Sequence, residues 1–175
     1  HAGGAWTSLV SQVLGVQLPV VPARNFIAVT QPMRPFFTEF VSSHDMRLYF
    51  RPARKGHIHV GGVALTTETF DKVVPPEALP HLSRCALMVP ALRNARFLRA
   101  WTGTLAKTPD GVPMIGPVDG IQGYILAAGF SGHGFCLGPI VGKLLSELIV
   151  DGQSSLSLDE LDPARFLNGD QHRDD

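Results

Sequence analysis

The chain has little that would mark its function at first sight. Its two cysteines, Cys85 and Cys136, lie far apart and form no metal or redox pair motif. Such sparse use of cysteine favours a reducing, cytoplasmic compartment. Fifteen Lys and Arg balance fifteen Asp and Glu, for a formal net charge of zero. Neither a nucleic-acid partner nor an acidic membrane surface is therefore indicated. The longest apolar runs are broken by Lys143 and Glu147, which rules out a membrane-spanning helix. No signal peptide is visible. Gly-x-Gly-x-x-Gly occurs nowhere and no Gly-Lys-Ser/Thr follows a glycine-rich stretch. The dinucleotide fingerprint and the phosphate loop are both missing.

What is present is enough apolar residue, 45% of 175, for a sizeable core, with no repeat or low-complexity stretch. That length suits one domain or the ends of two interleaved ones. One local pattern stands out. Tyr124 to Ala128 is an apolar run short enough to be a buried strand. Gly129-Phe130-Ser131-Gly132-His133-Gly134-Phe135 follows. Apolar residues then recur at helical spacing through Ile140, Val141, Leu144, Leu145, Leu148 and Ile149, with Pro139 suited to a first helical turn. Strand, glycine-rich turn and helix in this order let backbone N–H groups approach a ligand closely at the positive end of a helix dipole. The expected ligand is an anionic or electron-rich edge of a cofactor.

The remaining elements are read coarsely. A helix follows Trp6 with Leu9, Val10, Val13 and Leu14 on one side. Strands are expected over Val20 to Thr30, Met46 to Arg51, His57 to Val63 and Phe97 to Leu105, with a hairpin turn at Lys55-Gly56. Pro75 and Pro76 start a helical stretch in which Leu79, Leu82, Ala86 and Leu87 share a face, ending near Pro90. A loop rich in proline and glycine follows Leu105, and the tail beyond Leu167 is expected to fray. Strands arriving before helices favour a mixed sheet of α+β character. His57 and His59 alternate on one strand and so share a face. No carboxylate or cysteine at a familiar spacing completes a ligand set, so a solvated or cavity-wall face is expected and no metal. Trp101 is read as filling the core.

Three further stretches complete a pattern. These are Ala2-Gly3-Gly4-Ala5-Trp6, the run from Trp101-Thr102-Gly103 to Pro113-Met114-Ile115-Gly116-Pro117, and Asp162-Pro163-x-Arg165-Phe166. With the Gly-Phe-Ser-Gly-His-Gly-Phe turn they resemble, in order, the C-terminal part of the FAD-dependent D-amino acid oxidase superfamily. The branch resembled is that of the sarcosine, glycine, proline and opine oxidases or dehydrogenases. The resemblance implies a mixed, largely antiparallel sheet in a substrate domain, over residues 18–105. Residues 1–17 would end an FAD-binding domain, 106–167 would complete it with a C-terminal strand and helix, and 168–175 would be tail. The segment that holds the ADP half of FAD is not in this chain, which begins at His1. The resemblance therefore implies a C-terminal piece whose partner is an N-terminal FAD-binding half or a separate subunit.

The chemistry so implied is oxidation of an amine carbon of a small amine or amino acid, with hydride transfer to FAD and release of an imine. The residues expected to contact the cofactor are Gly3, Gly4, Trp6, Gly129, Ser131, Gly132, His133 and Gly134. The backbone N–H groups of Gly132, His133 and Gly134 would face the anionic edge of reduced flavin. The resemblance gives His133 a pocket-shaping role rather than that of a general base, and no catalytic residue is assigned.

Departures from the family narrow the substrate. The position of the substrate-binding lysine in monomeric sarcosine oxidases is Cys136, a thiol with no fixed positive charge. The position of the arginine clamp in glycine oxidase is Leu105. The flavin-bonding cysteine would fall at Gly103, so covalent attachment there is excluded and FAD is expected to bind non-covalently. Arg51, closing a strand along the cavity, is the candidate for binding a substrate carboxylate. Arg47 on the same face and Lys107 are reserves. The absence of both clamps favours proline, hydroxyproline or opine dehydrogenases. Two alternatives stand beside this reading: a non-catalytic assembly subunit forming a flavin lid, and an inert folded piece exposing an apolar patch where the FAD domain packs.

Overall fold

A computed structural model describes residues 1–67, 70, 73, 74, 76 and 78–167, with backbone alone for 63–66, 79 and 81. The expectations for Pro75, the Leu79 side chain and the 168–175 tail lie outside the described residues. The chain divides into two compact units. One comprises His1–Ala23 and the chain from Leu105 onward, the other Arg24–Thr104.

The second unit is built on a five-stranded sheet in the order β2-β3-β4-β1-β5. Its strands are β1 (Val21–Thr30), β2 (Val41–Ser43), β3 (Leu48–Pro52), β4 (Ile58–Thr66) and β5 (Phe97–Lys107). The chain crosses between units inside β1 and β5. β3 pairs antiparallel with both β2 and β4. The expected hairpin turn is present, with the Gly56 N–H bonded to Ala53 O at 2.9 Å and the Ala53 N–H to His57 O at 2.8 Å.

Alternation along β3 and β4 sorts the side chains into two faces. Leu48, Phe50, Ile58 and Val60 are buried on one face, with Phe26 and Ala28 of β1. They pack under two short helices, α2 (Ala78–Ser83) and α3 (Cys85–Met88), and the 3-10 turn Pro90–Asn94. Burying each large side chain contributes about 1.5–3 kcal/mol, so this layer holds the unit together. The single helix expected here is broken at Arg84. Its core stripe is Ala78, Leu82 and Cys85 at i, i+4 and i+7, which leaves Leu87 exposed. Burial pushes the Cys85 thiol up to about 11.

The expectation for 46–51 needs correction. β3 begins only at Leu48, because Met46 and Arg47 close a turn: the Arg47 N–H bonds His44 O and the Met46 N–H bonds Ser43 Oγ. Arg47 takes the left-handed region at φ +50, which takes it off the strand face that carries Arg51.

The first unit contains α1 (Thr7–Val13), a hairpin of β6 (Met114–Pro117) with β7 (Ile125–Ala128), α4 (Gly134–Asp151) and α5 (Ala164–Leu167). Met114, Leu126 and Ala128 bury with Leu18, Val20 and Val118. β6 falls in the stretch expected to be loop. The apolar side of α1 faces outward, with Val13 84% exposed and Leu9, Val10 and Leu14 close to half exposed, while Thr7 and Ser11 are buried. Ser11 Oγ donates to Thr7 O and sits 3.0 Å from Tyr124 Oη, so polar pairing holds the inward side. α4 starts five residues before Pro139, which therefore lies inside the helix rather than in its first turn. The helix ends on Gly152 in the left-handed conformation, the usual glycine stop.

Candidate functional site at the start of helix α4

β7 ends at Ala128, and the next five residues turn the chain into α4. Gly129 is buried at φ +74, and a Cβ there would overlap Thr108 Cγ2. Ser131 at φ +51 and Gly132 at φ +100 form the centre of a tight turn closed by the His133 N–H to Phe130 O at 2.8 Å. Two successive positive φ values describe a primed turn, which glycine takes freely and serine at a cost of about 1–2 kcal/mol. Strain of this sort persists where surroundings over-determine the backbone, and here they do. The Ser131 N–H bonds Ala106 O at 2.9 Å and its Oγ donates to Gly129 O at 3.1 Å. The Thr108 Oγ1 hydroxyl in turn donates to Val112 O at 2.8 Å.

The donors left over define what the turn offers. The His133 N–H is committed to Phe130, so it is not one of them. Gly132, Gly134, Phe135 and Cys136 have no acceptor for their N–H groups among the described residues. Three of these four are the orphan donors of a helix N-terminus, and the first turn of α4 carries no acidic residue. The result is an exposed cradle of aligned donors at the positive end of an 18-residue helix. Leu105 lies at its side, 3.8 Å from where a Gly132 Cβ would be. Cys136 is exposed, its Sγ pointing back to His133 O at 3.1 Å. The sequence-predicted Gly129, Ser131, Gly132, His133, Gly134, Cys136 and Leu105 are thus brought together in one unit. Phe135 was missed; its N–H takes part, while its side chain is fully exposed.

Gly3, Gly4 and Trp6 lie in the same unit, ahead of α1. Gly4 sits at φ +56, the Trp6 N–H bonds Gly3 O at 3.1 Å, and the indole is half exposed. The loop before β6 is held from the chain's far end. Arg165 Nε bonds Asp110 Oδ2 at 2.9 Å while its Nη2 bonds Val112 O at 2.8 Å. Burial would raise the Asp110 carboxyl, but the Arg165 and Val112 hydrogen bonds outweigh it and hold the carboxyl below its ordinary range.

Arg51 lies in the other unit, on the open face of the sheet and directly opposite His59. The Tyr49 ring lies on the same face across Gly61, where a Cβ would overlap it. Burial raises the Tyr49 phenol against the lowering effect of the Asn25 amide. His59 meets the edge of Trp101 at 6.1 Å, and Arg99 lies 5.5 Å over the Trp101 ring. Trp101 is therefore partly exposed and not core filling. His57 turns its Nδ1 to Thr30 O at 2.8 Å.

A family model described as FAD dependent oxidoreductase, DAO, matches residues 1–148. The chain belongs to this FAD-dependent oxidoreductase family. Glycine oxidase of Pseudomonas aeruginosa is 32% identical over 166 residues, 94% of this chain and 43% of that protein. Human mitochondrial dimethylglycine dehydrogenase is 27% identical over 95% of this chain and 22% of its own length. Among solved structures, L-proline dehydrogenase from P. horikoshii superposes with a TM-score of 0.87 at 34% identity, over 97% of this chain and 47% of that one. The chain thus spans less than half the length of these relatives. The α+β architecture is that of the FAD-dependent oxidoreductases. Among the described residues, no helix is long and apolar enough to cross a membrane.

Proposed function

We propose that this chain supplies the substrate domain and the flavin-edge turn of an FAD-dependent amine or amino acid oxidoreductase. The observation that carries the reading is the strained turn at Ser131–Gly132, with four uncommitted N–H groups around the start of α4. Such donors fit the anionic edge of a reduced flavin and cost no reorganisation when that charge develops. FAD bound there would supply the hydride acceptor for the carbon beside the substrate nitrogen, and the imine so formed would hydrolyse. The N–H groups of Gly132, Gly134, Phe135 and Cys136 hold that edge. Ser131, its N–H and Oγ both spent on backbone carbonyls, sets the turn's shape. Gly103 offers no side chain for a covalent link, in keeping with non-covalent binding.

Arg51 binds the substrate carboxylate. Leu105 and Cys136, where related oxidases place cations, supply no charge of their own. This pattern, with the likeness to an L-proline dehydrogenase, makes proline and its hydroxylated and opine analogues the first substrates to consider. The outward apolar stripe of α1 and the exposed Phe135 suit cover by an N-terminal FAD-binding half or a subunit that replaces it.

The test is anaerobic. The complete protein is mixed with proline, sarcosine, glycine, opines and D-amino acids, and the loss of oxidised-flavin absorbance is followed. Bleaching by at least one of these amines is expected. A flavin that none of them reduces would remove amine oxidation from the reading.

A further inference from the structure

The second unit holds a cavity of about 60 Å³ that shares no residue with the turn at α4. It lies between the 34–37 segment and the β3–β4 turn and is lined by Pro52, Ile58, Phe36, Phe37, Arg34 and Arg54, with Ile58 buried and both arginines exposed. Its two sides are tied together. The Met33 N–H bonds Gly56 O at 2.9 Å, and Gly56 at φ +80 passes so close that a Cβ would come 2.9 Å from Met33 O. The Phe36 and Phe37 rings pack at 4.8 Å with a 57° tilt.

Arg34 and Arg54 have neither a carboxylate nor another hydrogen-bond partner among the described residues. Two guanidinium groups lining one apolar hollow can donate paired hydrogen bonds to a planar anion. At about 10–15 Å³ per water position, the hollow matches a carboxylate with a short apolar body. Inorganic phosphate would satisfy the arginines but leave Phe36, Phe37 and Ile58 without a contact.

We propose that this cavity is a binding site for a small organic carboxylate with an apolar body, separate from the flavin site. The test is a 19F NMR titration of 4-fluorobenzoate with the complete purified protein, any flavin absorbance being recorded at each step. Saturable binding without a matching flavin change is expected, weakened about tenfold by Arg34→Ala and by Arg54→Ala, as loss of a charge-assisted pair predicts. Phe36→Ala should weaken it as well, and equimolar phosphate should leave it in place. Both arginines are exposed, and an unchanged melting temperature in their variants keeps a lost signal from meaning a lost fold. Binding unaltered in both arginine variants, or found only together with a flavin change, overturns the proposal. Displacement by equimolar phosphate with Phe36→Ala binding normally also overturns it, since the site would then hold a bare anion.

Discussion

Arg51 and His59 stand directly opposite one another across β3 and β4, on the open face of the sheet. Burial first, and then the nearby charges of Arg51, His57 and Arg99, hold the His59 imidazole below its ordinary 6.5. An unfolded chain therefore takes up a proton at His59 before the folded one does. The folded state gains from the neutral ring above about pH 6.5 and loses that gain as pH falls through the native value.

Replacing Arg51 by Gln removes one of those charges. His59 should then titrate closer to 6.5 in an NMR pH series, although burial still holds it down. If Arg51 has its proposed role, the same change in the complete protein should raise KM for a carboxylate-bearing substrate more than it lowers kcat. An unmoved His59 titration would show that Arg51 points away from it.

Gly61 leaves room for the Tyr49 ring, which any Cβ would overlap. Gly61→Val should force that ring off the sheet and destabilise the protein by about 1–3 kcal/mol, the usual cost of overpacking. Thermal melting measures it, and a neutral result would mean that Tyr49 moves aside freely.

Arg165 joins the chain's end to the loop before β6 through Asp110, Val112, Asp162 and Pro113. Arg165→Ala should cost about 2–3 kcal/mol, since it strips several partners at once. With the native Asp110 carboxyl below its ordinary 3.8, the contribution is complete above that value and lost as pH falls through the native one. The stability gap between native protein and variant, measured against pH, should close in acid and not in base.

Cys85 is buried with its thiol pushed up to about 11, so a thiol reagent should reach it only on unfolding. Mass mapping after a timed pulse of maleimide should find Cys85 unlabelled in the native protein. Prompt labelling would place it outside the core.

The family and the α+β fold were legible because they rest on local patterns: the glycine turn, alternation along β3 and β4, and the turn at Lys55-Gly56. The misreadings have physical causes. Met114 and Ile115 were passed over as strand because Pro113, Gly116 and Pro117 surround them, yet their burial makes β6. Periodicity put Leu9, Val10, Val13 and Leu14 on one side of α1, but nothing in periodicity says whether an apolar face is covered by its own unit. Arg47 followed the strand pattern until a side-chain bond from Ser43 closed a turn. In the site, the glycines were found by type. That His133 spends its N–H on Phe130, and that Phe135 and Cys136 keep theirs, depends on turn geometry that spacing does not encode.

The turn at Ser131–Gly132 is proposed to hold the flavin edge, and flavin content measures this directly. The complete protein should be purified as the native form, Gly132→Val and Gly134→Ala, and the flavin-to-protein ratio read from absorbance. Gly132 at φ +100 tolerates no side chain without strain. A Cβ on Gly134 would meet Phe130 at 3.4 Å, an ordinary contact. Flavin is expected in the native protein, at near-native content in Gly134→Ala, and is expected to be lost in Gly132→Val with the fold retained. Full flavin content in Gly132→Val, or none in the native protein supplied with FAD, would contradict the proposal.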